Sequence, residues 1–124
     1  MSAALQTAVI TTLRAALGIP VYDEVPQGAA LPYVVLDTTM TVPEDGLSTE
    51  HERVTLYLTL WRKDTSALGI EADLTAIKTA LHNRKLPMTS GTNAITRLVR
   101  SSTDRDIDRR VRIGRATYEA LITS

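Results

Sequence analysis

Cysteine and phenylalanine are both absent from the 124 residues, and aromatics make up only 4% of them. Without cysteine there is no disulfide framework, no thiolate zinc site and no cysteine nucleophile. Four tyrosines and one tryptophan are too few to build repeated stacking platforms for single-stranded nucleic acid. The core must therefore come from Leu, Ile, Val and Ala. The six glycines stand far apart, at 18, 28, 46, 69, 91 and 114. That spacing leaves neither a G-x-G-x-x-G nor a Walker A loop, and excludes the usual nucleotide cradles. No apolar run approaches the ~18–20 residues of a membrane-spanning helix. The first residues, Met1-Ser2-Ala3-Ala4-Leu5-Gln6, lack the basic start and unbroken apolar stretch of a secretory signal. A cytoplasmic origin fits these absences.

What is present is ordinary in amount and uneven in placement. A 44% apolar share with 23% charge rules out wholesale disorder. At ~100–200 residues per domain, residues 1–124 make one domain. Fourteen basic residues against fourteen acidic ones cancel, which argues against a chain whose main task is to neutralise phosphate backbone. Through Asn83, however, five basic residues face ten acidic ones; from Arg84 onward nine basic residues face four acidic ones. Two such copies would attract head to tail, unless the halves interleave in the fold and the asymmetry cancels.

The apolar spacing predicts a helix over 2–17, with Leu5, Val9, Leu13 and Leu17 on one stripe and Gly18 then Pro20 as its stop. Val21-Tyr22 begins an extended piece. From Tyr33 to Val42, the shared parity of Val34, Leu36, Met40 and Val42 predicts a strand with that face buried and Asp37, Thr39 and Thr41 in water. Pro43-Glu44-Asp45-Gly46 reads as a turn. Arg53–Trp61 is the clearest strand, with Val54, Leu56, Leu58 and Leu60 alternating with Thr and aromatics. Asp64-Thr65-Ser66 can cap a second helix running to about Asn83, on whose face stand Ile70, Leu74, Ile77 and Leu81. Leu86-Pro87-Met88 and the following residues read as a connector, and two strands close the chain, at about 94–103 and 109–122. In the last of them the apolar parity switches across Gly114, which predicts a bulge there. The fold class is α+β: a mostly antiparallel sheet of about four to five strands with two helices packed on one face, in the order α-β-β-β-α-β-β.

Catalytic and metal chemistry is hard to place on this pattern. His51 and His82 fall on different elements with no H-E-x-x-H spacing; solvent-facing or helix-end positions suit them better than metal ligation. Asp104-x-Asp106-x-Asp108 mimics the opening of a calcium loop, but Arg109 and Arg115 stand where Gly and a bidentate Glu belong. Glu50/Glu52 and Glu71/Asp73 have no accompanying base or nucleophile. The residues thus indicate no enzyme, no cofactor and no metal. The one charge cluster is Arg109, Arg110, Arg112 and Arg115 with Arg97, Arg100 and Arg105. It reads as a nucleic-acid groove or as a polar sheet face or subunit contact, and the interleaved Asp104, Asp106 and Asp108 favour the second.

The stretch from Val21 to Leu36, Val-Tyr-Asp-Glu-Val-Pro-Gln-Gly-Ala-Ala-Leu-Pro-Tyr-Val-Val-Leu, carries more. It resembles the signature of the tail completion, or tail terminator, proteins of long-tailed bacteriophages and gene transfer agents. The order and spacing also match in the helix Leu5–Leu17, the stretch Leu56–Trp61, the helix Glu71–Leu81 and the closing strand Arg115–Leu121, where Tyr118 stands at a usual Phe position. The resemblance implies a structural role: a hexameric ring on the finished tail tube that stops tube growth and offers the surface to which the filled head attaches. It implies as partners the chain itself, the major tail tube protein and a head–tail connector protein. DNA is only a passenger in the lumen, and the setting is the virion tail, assembled in the bacterial host cytoplasm. A ring built by one repeated contact needs two different complementary patches per subunit. The expected patches are Glu44, Asp45, Glu50 and Glu52 in the 43–52 loop, against Arg109, Arg110 and Arg112 on a neighbour. The alternative is a nucleic-acid-associated module of a phage particle that uses the C-terminal arginine cluster.

Overall fold

The apolar periodicities resolve into two helices and six strands, one strand more than the sequence pattern discloses. A computed structural model describes residues 3–43, 51–63, 67–87, 93–106 and 110–123. The expected caps at Asp64-Thr65-Ser66 and the turn at Glu44-Asp45-Gly46 lie outside these residues.

Helix α1 (Ala3–Leu17) buries Leu5, Val9 and Leu13 completely, the stripe that its four-residue spacing dictates. It ends as expected. Gly18 turns left-handed at φ 67° and its N–H donates to the Arg14 carbonyl at 3.1 Å, a conformation that glycine adopts without a Cβ clash. The Pro20 carbonyl then accepts the Val34 N–H at 3.0 Å, and Arg14 Nη2 donates to the Val21 carbonyl at 2.9 Å. These bonds lay the two-residue strand β1 (Val21–Tyr22) parallel to β2 (Tyr33–Pro43). Strand β3 (His51–Lys63) pairs antiparallel with β2 and leads to α2 (Ala67–Leu81). After it come β4 (Arg84–Pro87), β5 (Asn93–Asp106) and β6 (Val111–Thr123).

The sheet order is β1-β2-β3-β6-β5-β4, antiparallel throughout except for β1 on β2. The α+β class with two helices over one sheet thus holds, while the sheet is mixed and has six strands. The additional strand, β4, occupies residues that the sequence assigns to a connector. Four residues ending in proline carry too little alternation to declare a strand; only Leu86 of β4 is buried. Tertiary bonds place it instead. The fully buried Thr96 hydroxyl donates to the Leu81 carbonyl at the end of α2. Asn83, left-handed at φ 55°, donates its N–H to the Thr96 carbonyl at 2.7 Å.

The core lies between the helices and one face of the sheet, where Val34, Leu36, Val54, Leu56, Leu58, Leu60, Ala116, Tyr118 and Ala120 meet Ile70, Ile77 and Leu81. The sheet curls around α1, so that its two opposite edges, β1 and β4, both touch that helix.

Two expectations of side-chain parity are corrected. Strand β6 runs against β3 from Val111 to Thr123 without a register shift, so there is no bulge at Gly114. Val111 and Ile113 are apolar because they are buried on the far face of the sheet, with Ile113 opposite Trp61. Gly114 faces α2, and a Cβ there would lie 3.2 Å from Ile70 Cγ1 and 3.3 Å from Leu74 Cδ2. The bulges are elsewhere, between Thr38 and Met40 in β2 and between Leu98 and Arg100 in β5. The first shifts Met40 and Val42 to register positions opposite Thr55 and Arg53, off the parity of Val34 and Leu36. An extra residue in one strand flips every position beyond it, which no alternation count detects in advance.

Candidate assembly surfaces

Both helices and strands β1 to β3 come from the acidic part of the chain, up to Asn83; β4, β5 and β6 come from the basic part. In the sheet, these parts stay on their own sides, β1-β2-β3 next to β6-β5-β4. The layer above the sheet mixes them, because α2, which carries Glu71 and Asp73, packs on β5 and β6, and α1 touches β4. Strands β1 to β3 themselves hold two acidic residues, Asp37 and Glu52, against Arg53, Arg62 and Lys63, so the asymmetry of the sequence does not become an acidic and a basic side of the sheet.

The sheet separates its ends. Glu52 pairs with Ile122 at the start of β3, while Arg62, ten residues on, pairs with Arg112. At ~3.3 Å per residue those rows are about 33 Å apart. Glu44, Asp45, Glu50 and Arg109 lie outside the described residues. Arg112 also stands opposite Arg105, so that arginines of three adjacent strands share one row. Like charges in register repel. Arg62 is drawn away to helix α2, where its Nε donates to the Asp73 carboxylate. Exposed Arg110 follows at φ 54°, in the turn that enters β6. The structure thus gathers Arg62, Arg105, Arg110 and Arg112 at one end, away from Glu52.

The helix-free face of the sheet carries features that sequence reasoning missed. Glu119 accepts Arg97 Nε at 3.0 Å and Nη2 at 2.7 Å, and stands 3.8 Å from Arg53 Nη1. Only the register of β3, β6 and β5 brings these three residues together. A concavity of about 340 Å³ beside them is lined by Tyr57, Thr59, Arg100, Ser102, Arg115 and Thr117 among others, with no histidine or carboxylate. Its Ser, Thr and Tyr hydroxyls therefore have no imidazole or carboxylate in the lining to act as their general base. Asp104 accepts the Arg105 N–H at 2.8 Å and lies 3.6 Å from Arg115, so it serves the hairpin end as a turn and ion-pair residue. His82 follows α2, and its Nδ1 accepts the Leu98 N–H at 3.0 Å. Among the described residues no group of three or more His, Asp or Glu side chains is placed to hold a metal ion. No described helix is long and apolar enough to cross a membrane.

The edges of the sheet are the remaining surface. β1 covers β2 only at Val34 and Val35. β4 covers β5 only at residues 93–96, and His82 takes the next amide, that of Leu98. Beyond these covers, residues 36–43 of β2 and 99–106 of β5 border no strand among the described residues. The two open stretches lie at diagonally opposite corners of the sheet. Uncovered strand edges are pairing sites unless blocked.

The class is then defined by architecture: a curled, mixed six-stranded sheet under two helices, with a strand edge on each side that is uncovered among the described residues. The same fold occurs in a chain from the virion of a native gene transfer agent (GTA) particle. That chain is 21% identical, with a TM-score of 0.81, over 98% of this chain and 96% of that one. The model of the family "Tail completion protein gp17" matches residues 1–123, and the chain belongs to this family. It is a structural protein of bacteriophage-type tails. No curated protein matches the sequence.

Proposed function

We propose that the chain is a tail terminator: a non-enzymatic subunit that closes a hexameric ring on the finished tail tube, halts tube growth and presents the surface for head attachment. The observation that carries this reading, beside family membership, is the separation of the acidic row at Glu52 from the arginine row at Arg112 by the length of the sheet. Patches about 33 Å apart cannot satisfy each other within one molecule. In the assembly we propose they face two different neighbours, as a terminator needs: one of its faces must imitate the next tube layer and the other must not.

In this reading Glu44, Asp45, Glu50 and Glu52 meet a basic surface of a neighbouring molecule, and Arg109, Arg110 and Arg112 meet an acidic one. The neighbours are further copies of the chain, the major tail tube protein and the head–tail connector protein. The place of action is the virion tail, and assembly happens in the host cytoplasm, with DNA passing through the lumen.

Charge reversal tests it. Glu44→Lys with Asp45→Lys is expected to leave the fold intact by circular dichroism and to give tails of abnormal length without heads in electron micrographs. Capped, head-joined tails of normal length from that variant would overturn the role of the acidic loop.

A further inference from the structure

The ring reading leaves open which contact joins one copy to the next, and the sheet edges supply one. We propose that residues 36–43 of β2 in one copy pair, antiparallel, with residues 99–106 of β5 in the next, so that the sheet runs unbroken from subunit to subunit. This inference rests on the proposed ring for its closure and on the edges alone for its contact.

Five observations converge. Each open stretch is eight residues long, bounded at one end by the short strand that covers its neighbour and at the other by the end of its own strand. With Thr39 and Val99 as the extra residues of their bulges, each stretch spans seven rows; the lengths therefore match, and β1 and the β4–His82 cover act as stops that fix the register, with Leu36 opposite Asp106 and Pro43 opposite Arg100. Direction matches as well. Within one copy β2 and β5 run antiparallel to each other, so side-by-side copies in one orientation bring the two edges together antiparallel, with no inversion.

Charge fits the contact. Counting from Leu36, the register sets exposed Asp37 opposite exposed Arg105, a favourable cross-strand pair.

Burial agrees. Val99 is 51% exposed, and Arg100 to Arg105 are exposed on both faces of β5, as expected of a strand that lacks a neighbour. Finally, the geometry closes. Leu36 lies level with Ser101 in its own copy, so pairing with Asp106 staggers neighbours by about five residues, ~16 Å. The repeat from one copy to the next is four strands, β2, β3, β6 and β5, because β1 and β4 share their columns with the neighbours; at ~4.8 Å each, a ring absorbs that stagger by inclining its strands roughly 40° to the axis, the tilt of closed barrels.

The chain has no cysteine, so an engineered pair reports this contact alone. Thr38→Cys is combined in the full-length chain with Asp104→Cys, and in two further double variants with Ser102→Cys or Thr103→Cys. Each is oxidised both free at high concentration and in assembled tails, then run on non-reducing gels. The expected result is a ladder beyond the dimer, strongest for the Asp104 variant and absent from every single variant. Dimers from Asp104→Cys alone would show a two-fold β5–β5 contact and overturn the inference. So would double variants that cap tails normally yet give no ladder; the ring reading would survive that result. A ladder combined with normal, head-joined tails in the absence of the chain would do the reverse.

Discussion

The two faces of one sheet are built to different rules. On the helix side Leu36, Val54, Leu56, Leu58 and Leu60 are nearly inaccessible, and the closeness of Ile70 and Leu74 to Gly114 shows how little room is left. On the bare side Tyr57 and Thr59 are half-buried, Arg97 is exposed, and Glu119 holds Arg97 and approaches Arg53. The first face holds the subunit together by area removed from water. The second contributes little to folding and is left for encounters, because exposed ion pairs stabilise by ~1 kcal/mol at most. The proposed role is compatible with such a division: a subunit that assembles late must hold its shape as a monomer and keep its free surfaces polar until a neighbour arrives.

Truncation of the dry face is expected to have the largest effect. Leu58→Ala leaves a cavity in the core between sheet and helices, costing ~2–5 kcal/mol and lowering Tm by roughly 8–20 °C in calorimetry. A fall of only a degree or two would mean that the helices do not seal this face. On the bare face, Glu119→Gln removes the charge that Arg97 and Arg53 share. A loss of about 0.5–1 kcal/mol in urea unfolding is expected at low salt, fading at high salt as screening takes over. A salt-independent loss would move Glu119 from the surface to the framework.

The smallest effect belongs to Tyr118, whose ring lies in the core while its hydroxyl has no hydrogen-bond partner among the described residues. Tyr118→Phe is expected to stay within ~0.5 kcal/mol of the parent at neutral pH, since no bond is lost. The difference appears in alkali. Burial pushes the phenol up from 10.0 to about 12, so the fold favours the neutral form. That contribution is intact below pH 10 and is lost as the pH rises through about 12. The parent should therefore lose stability more steeply than the Phe variant above pH 10. Equal slopes would mean that the hydroxyl reaches solvent.

Much of this was legible in the residues. The helix stripe of Leu5, Val9 and Leu13, the stop at Gly18 and the alternation of β3 each follow from local spacing, and all three stand as read. The charge division at Asn83 was visible too. Its fate was not, because it depends on tertiary packing: α2 lies on β5 and β6 and α1 touches β4, so the fold mixes the two parts of the chain. The candidate patches were legible as composition only: Glu52 and Arg112 could be singled out, but their separation by ten strand residues required the register.

The amino-acid order alone determined where the chain is helical or extended and which face of each helix is apolar, since these follow from steric preferences and the solvation of nearby side chains. Strand β4, the bulges at Thr39 and Val99, the placement of Gly114 beneath α2 and the open edges were decided only by the tertiary structure. Each of them depends on hydrogen bonds or contacts between segments distant in the chain. Such partners exist only after the sheet has formed, and no local spacing encodes them.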